Sequence, residues 1–225
     1  MVRNRQTAGA CRQVLVRAGE ACALDVAPSA STQLRRSVLL GTVAAGMLLF
    51  GYGRVARAGP GPCVTSGSTA TCTGNQSDGI EGGTDFDETI VSTLKVNSLD
   101  RDIAPAAGVD GISFFRFGSL TINSNTTDGP GGPFAITTKG DFAYGIHAYS
   151  FAGSATVTHI GDIHTSGYYG VGINAAGFRS VRITHTGDIS TKGDLADGIY
   201  ADSYGSVTIN QTGNISTTGF FAFGI

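Results

Sequence analysis

The chain has no tryptophan, two methionines, four cysteines and only 14% charged residues in 225. The cysteines fall at 11, 22, 63 and 72 with no Cys-x-x-Cys pair and no activating base beside them. That spacing excludes a thiol-redox centre and a cysteine-rich zinc knuckle. Basic residues are scarce beyond Arg57: from Gly59 onward there are 7 against 15 acids, a net of −8 (7 − 15). Nucleic acid and anionic membrane both demand concentrated positive charge, so neither is expected as a partner of this part of the chain. The pattern Gly-x-Ser-x-Gly is missing, as are a phosphate-binding loop and a dinucleotide fingerprint. The nearest string, Ala201-Asp202-Ser203-Tyr204-Gly205, recurs as Ala148-Tyr149-Ser150-Phe151-Ala152 and therefore belongs to a repeated turn.

What the chain does have is glycine, 34 residues, without the three-residue period of collagen. Behind it stands a repeat. Ser154, Ser180 and Ser206 each open a unit of alternating apolar and small polar residues. Gly161-Asp162-Ile163, Gly187-Asp188-Ile189 and Gly213-Asn214-Ile215 come next, and Gly172-Ile173, Gly198-Ile199 and Gly224-Ile225 close each unit. The offset is 26 every time (180 − 154, 206 − 180, 187 − 161). A fixed period between 20 and 50 residues is the mark of a repeat architecture. Each unit reads as three short strands separated by glycine turns, too short to stand alone and stable only when stacked. Stacking one unit per coil predicts a parallel β-helix with interior ladders Val157/Ile183/Ile209, Ile163/Ile189/Ile215 and Ile173/Ile199/Ile225. A two-sheet sandwich would not explain a constant period.

The first 58 residues read as an address. Arg35-Arg36 precede an apolar run from Ser37 to Phe50, 14 residues long. That suits a helical signal-peptide core and falls short of the ~20 residues of a membrane span. Ala56-Arg57-Ala58 fits the small-x-small rule and predicts cleavage between Ala58 and Gly59. An uncleaved anchor lengthened through Val55 is the alternative. Residues 59–225 then form the solenoid domain, with a clipped start (59–84), degenerate coils (85–152) and regular coils (153–225). After cleavage Cys63 and Cys72 remain, and a paired count in an exported chain points to a disulfide.

Asp78-Gly79-Ile80, Asp110-Gly111-Ile112 and Asp197-Gly198-Ile199 share a signature. Thr93 precedes Gly111 by 18, as Ser180 precedes Gly198, which aligns Thr93 with Ser180. Ser119 to Gly145 spans 26 against 18 for Ser154 to Gly172, so one coil carries eight extra residues. They fall in Asn123–Pro133, whose composition is loop chemistry. This insertion is expected to project from the stack, with Asn123, Asn125, Thr126 and Asp128 as the first place to look for a partner contact.

The opening Cys63…Cys72-Thr73-Gly74-Asn75-Gln76-Ser77-Asp78-Gly79-Ile80 and the recurring Gly-Asp-Ile-x-Thr-x-Gly…Gly-Ile-x-Ala unit resemble autotransporter passenger domains of Gram-negative bacteria. The resemblance covers residues 59–225. It implies a right-handed parallel β-helix exported to the cell surface, outer membrane or medium, and ordinarily continued by an outer-membrane β-barrel. The sequence stops inside a unit at Gly224-Ile225, which reads as a passenger truncated before that barrel.

Three columns of the repeat offer chemistry. Asp162, Asp188 and Asn214 share one. Stacked carboxylates suit a Ca²⁺ site or an acid–base pair, while Asp after Gly is also ordinary turn chemistry that bonds its own backbone. His159, His185 and Gln211 share a second, placed toward solvent and short of the three or four ligands a metal needs; His147 and His164 read as lone surface residues. Thr165, Thr191 and Thr217 form a third whose parity faces the core, which disfavours an antifreeze-like surface. Aromatics near the turns (Phe114, Phe115, Phe117, Tyr168, Tyr169, Phe220, Phe221, Phe223) read as corner filling before binding strip. The expectation is a non-catalytic structural or adhesive passenger, with no cofactor or metal, meeting an unidentified protein or glycan. The alternative is a polysaccharide lyase or hydrolase with Asp162 and Asp188 as its acids.

Overall fold

A computed structural model describes residues 61 and 63–225. The address segment and the Ala58–Gly59 junction lie outside the described residues. Alternating apolar residues build sixteen strands: β1 (Val64–Ser66), β2 (Thr69–Gly74), β3 (Ile80–Glu81), β4 (Thr93–Leu99), β5 (Ile112–Arg116), β6 (Leu120–Asn125), β7 (Ala135–Lys139) and β8 (Ile146–Ser150). β9 (Ser154–Ile160), β10 (Asp162–Ser166), β11 (Ile173–Gly177), β12 (Ser180–Thr186), β13 (Ile189–Lys192), β14 (Ile199–Ser203), β15 (Ser206–Thr212) and β16 (Ile215–Thr218) complete the series. They stack into a β-solenoid of about six coils.

Three sheets form the faces of the stack, the second of them beginning only at β7. One takes the order β1-β2-β4-β6-β9-β12-β15, a second β16-β13-β10-β7, and the third β14-β11-β8-β5-β3. Every pairing is parallel except β1 with β2. Residues 26 apart pair directly, as Ile183 does with Ile209 and Ile189 with Ile215. The ladders extend back through the degenerate coils: Leu94, Ile122 and Val157 form one, and Ile80, Ile112, Ile146, Ile173 and Ile199 another. These side chains are almost fully buried, and each contributes roughly 1.5–3 kcal/mol of burial free energy.

Two expectations about the early coils need correction. Thr93 pairs with Thr121, which pairs with Thr156, so it sits two residues further along the strand than Ser180's position. The two extra residues of that coil lie between strand and glycine, which spacing to Gly111 alone conceals. The insertion is also shorter than Asn123–Pro133. Asn123 and Asn125 are strand residues of β6 opposite Thr158 and Ile160, and Thr126 is fully buried, donating its hydroxyl to Phe134 O at 2.7 Å. The segment beyond Thr126 folds down along the preceding coil instead of projecting. Asp128 Oδ1 accepts from Ser98 N at 2.7 Å, and Gly129 sits so close to Leu99 that a Cβ there would meet its carbonyl oxygen.

Cys63 and Cys72 are joined, Cα to Cα 4.3 Å, and staple the β1–β2 hairpin at the outer end of the first sheet. The bridge ties the edge strand β1 to β2, which itself pairs with β4. Closing so short a loop stabilises by roughly 2–3 kcal/mol, mainly by restricting the unfolded chain. Cys63→Ser is expected to lower the denaturant midpoint accordingly and to leave the circular dichroism of the native state unchanged.

Candidate functional site: an exposed aromatic ladder

The repeated acids hold coils together. Asp162 Oδ1 accepts from Asp188 N at 2.9 Å, and Asp188 Oδ1 accepts from Asn214 N at 2.8 Å. Asp110, Asp141, Asp194 and Asp197 do the same for Tyr144, Tyr168, Phe220 and Phe223, at 2.8–3.0 Å. The acceptor therefore serves the next coil's backbone, in place of its own turn. A carboxylate is a strong acceptor and each bond removes an otherwise unpaired N–H at a coil corner. Asp188→Ala should cost about 1 kcal/mol, read as a drop of about 2–4 °C in Tm.

The histidine column lies inside the solenoid, which overturns the placement toward solvent. β9 runs unbroken from Ser154 to Ile160, so the inward parity of Val157 carries to His159. His159 and His185 are fully buried, their rings stacked at 5.3 Å and 15°. His185 has Gln211 Oε1 at 2.7 Å from Nδ1 and Gly161 O at 3.0 Å from Nε2. Both nitrogens of His159, and Ser124 Oγ one coil earlier in the same column, have no partner among the described residues. Burial pushes the His159 imidazole down to about 3, with His185 beside it adding to the shift. His185 is lowered too, first by burial, while Gln211, Gly161, Asp162 and Asp188 pull the other way. The rings are parallel and do not converge on a common point.

The threonine column faces the core as its parity requires. Thr191 Oγ1 donates to Ala196 O at 2.5 Å and Thr138 Oγ1 to Ala143 O at 3.0 Å, while Thr165 Oγ1 donates to Gly170 O.

His147 is not a lone surface residue. Its Nδ1 lies 3.2 Å from Asp110 Oδ2, with Phe115 and Tyr144 edge-on at 4.6 and 4.3 Å. His147, Asp110 and Tyr144 border a cleft of about 530 Å³ that also contains Asp78, Glu81 and Asp85. Burial raises the Asp85 carboxyl above its usual range; the backbone N–H of Glu81 opposes this, and the like charges of Asp78 and Glu81 reinforce it. Sequence alone does not disclose the cleft, because its residues come from three coils. The recurring Asp-Gly-Ile signature is the one signal that places Asp78 and Asp110 in a single column. Asp162 and Asp188 do not line it.

Corner filling describes only some of the aromatics. Phe114 is fully buried, but Phe117, Phe151, Phe178 and Tyr204 are 78%, 56%, 54% and 90% exposed. Their backbone positions form one ladder. Arg116, Ser150, Gly177 and Ser203 pair in register across β5, β8, β11 and β14, and each aromatic is the next residue in its coil. Tyr149 packs on Phe151 at 4.6 Å and Phe178 on Tyr204 at 5.3 Å. No family model, curated protein or solved structure matches the chain.

A second, less regular stripe occupies another corner. Phe142, Tyr169, Leu195 and Phe221 all adopt φ between 55° and 59°, a conformation that disfavours bulky side chains. Phe142 stacks on Tyr169 at 5.8 Å and is 56% exposed. Backbone strain is thus accepted at four successive corners that carry large side chains.

Proposed function

We propose that the chain is an exported β-solenoid passenger of the autotransporter kind, displayed on or released from the cell surface and acting as a non-catalytic adhesin. The ladder Phe117/Phe151/Phe178/Tyr204 carries this reading. Large aromatic side chains exposed in successive coils on one face mark a binding surface. The repeated acids are committed to backbone N–H groups of the next coil, which leaves them a structural duty. The basic, apolar N-terminal segment ending at Ala58 supplies the export route, and a barrel beyond the passenger would anchor it in the outer membrane.

The test is made in the native cells. External protease should remove the chain from intact cells, mass spectrometry should find its N-terminus at Gly59, and deletion of its gene should reduce attachment. A chain protected inside the cell with residues 1–58 retained, or attachment unchanged by the deletion, would sink the reading.

A further inference from the structure

We infer that the aromatic ladder binds an uncharged polysaccharide laid along the solenoid axis, with sugar rings packed against Phe117, Phe151, Phe178 and Tyr204. This rests on the adhesive reading and names its ligand class. Three observations support it. The four aromatics follow residues that pair in register in four successive coils, so their backbone positions repeat at one strand spacing, about 4.8 Å, and the Phe178 and Tyr204 rings lie 5.3 Å apart. A row of exposed aromatic side chains along one face suits a linear polymer whose units carry apolar faces. A globular protein surface has no such repeat, and a lipid surface has no need of one.

The ladder is also grooved. At one end a cleft of about 500 Å³ is lined by Glu88, Arg116, Phe117 and Phe151. Further along, a smaller one of about 50 Å³ is lined by Phe151, Phe178, Ser203 and Tyr204. Phe151 borders both, so the two clefts flank the same ring along the ladder. The polar groups along it suit hydroxyls. Arg116 spends Nη1 on Val91 O at 2.7 Å and lines the larger cleft. Glu88, Asp202 and Ser203 add acceptors and a hydroxyl. Apolar walls with a few placed polar groups are the usual make-up of a ligand site.

Charge selects among polysaccharides. From Gly59 onward the chain carries a net of −8 (7 − 15). A polyanion would be repelled as it approached, whereas a neutral polymer meets no such barrier.

The measurement is affinity electrophoresis of the full chain in gels containing galactomannan, xyloglucan or hydroxyethylcellulose, with polygalacturonate as the polyanion arm. At least one neutral polymer should retard the protein and polygalacturonate should not. Phe151→Ala with Phe178→Ala should weaken retardation at least tenfold while Tm and circular dichroism stay unchanged, since both side chains are more than half exposed. No retardation by any neutral polymer, preference for polygalacturonate, or retardation unaffected by the double substitution would overturn the inference. If the double variant abolished cell attachment while no neutral polymer retarded the parent, the glycan inference would fall and the adhesive reading would stand.

Discussion

Replacing Gly172 with alanine is expected to destabilise the protein by about 3 kcal/mol, a drop of about 6–12 °C in Tm. Gly111, Gly145, Gly172 and Gly198 stack in one column, and the coils approach closely there. A Cβ on Gly172 would lie 2.5 Å from Gly198 O and 2.6 Å from Ile189 Cγ2. Neither neighbour can yield cheaply. The carbonyl accepts from Ile173 N at 3.0 Å, and Ile189 is a buried rung of the second sheet. Relief would require opening the distance between two coils whose spacing is fixed by parallel ladders on all three faces. The Asp-Gly-Ile signature therefore has three physical parts: the acid bonds the next coil, the glycine lets it approach, and the isoleucine fills the interior. Differential scanning calorimetry of Gly172→Ala beside Gly61→Ala, where a Cβ would meet nothing within 4 Å, isolates the effect.

Acidification is expected to weaken the fold through His159. Its imidazole is held down to about 3 in the folded chain, against about 6.5 when exposed. The folded state thus binds fewer protons than the unfolded state between these values. Stability is fully present above about pH 6.5 and falls as pH drops through that window, levelling near pH 3. By pH 5 the loss is about 2 kcal/mol. His185, lowered in the same direction, adds to it. Chemical unfolding at pH 7 and pH 5 should show this difference. The substitution His159→Gln should remove most of it, because glutamine already occupies this column at Gln211 without titrating. A difference as large in the variant as in the parent would assign the pH dependence to other groups.

Much of this architecture is legible in the sequence because the repeat is a property of spacing. The pairings Ile183–Ile209, Ile189–Ile215 and Ile173–Ile199 come from the offset of 26 together with the two-residue alternation of strands. So does the inward threonine column. Whatever depends on which coil a side chain meets is not legible. The direction of the Asp162 and Asp188 carboxylates, toward the next coil's N–H, is set by corner geometry that no residue type announces. For His159 and His185, polarity points outward and parity points inward. Parity wins, because Val157 and Ile183 two residues earlier fix the face. The aromatic ladder is hidden for another reason. Phe117, Phe151, Phe178 and Tyr204 are separated by 34, 27 and 26 residues, and the insertion breaks the period before their register can be seen.

If the recurring acids are structural and function lies on the exposed rings, one paired measurement separates the two roles. It compares attachment and Tm for Phe151→Ala/Phe178→Ala against Asp162→Ala/Asp188→Ala. The aromatic pair is expected to lose attachment with Tm unchanged, and the acid pair to keep attachment with a lowered Tm. Loss of attachment or of a polysaccharide-cleaving activity in the acid pair, at an unaltered Tm, would contradict it.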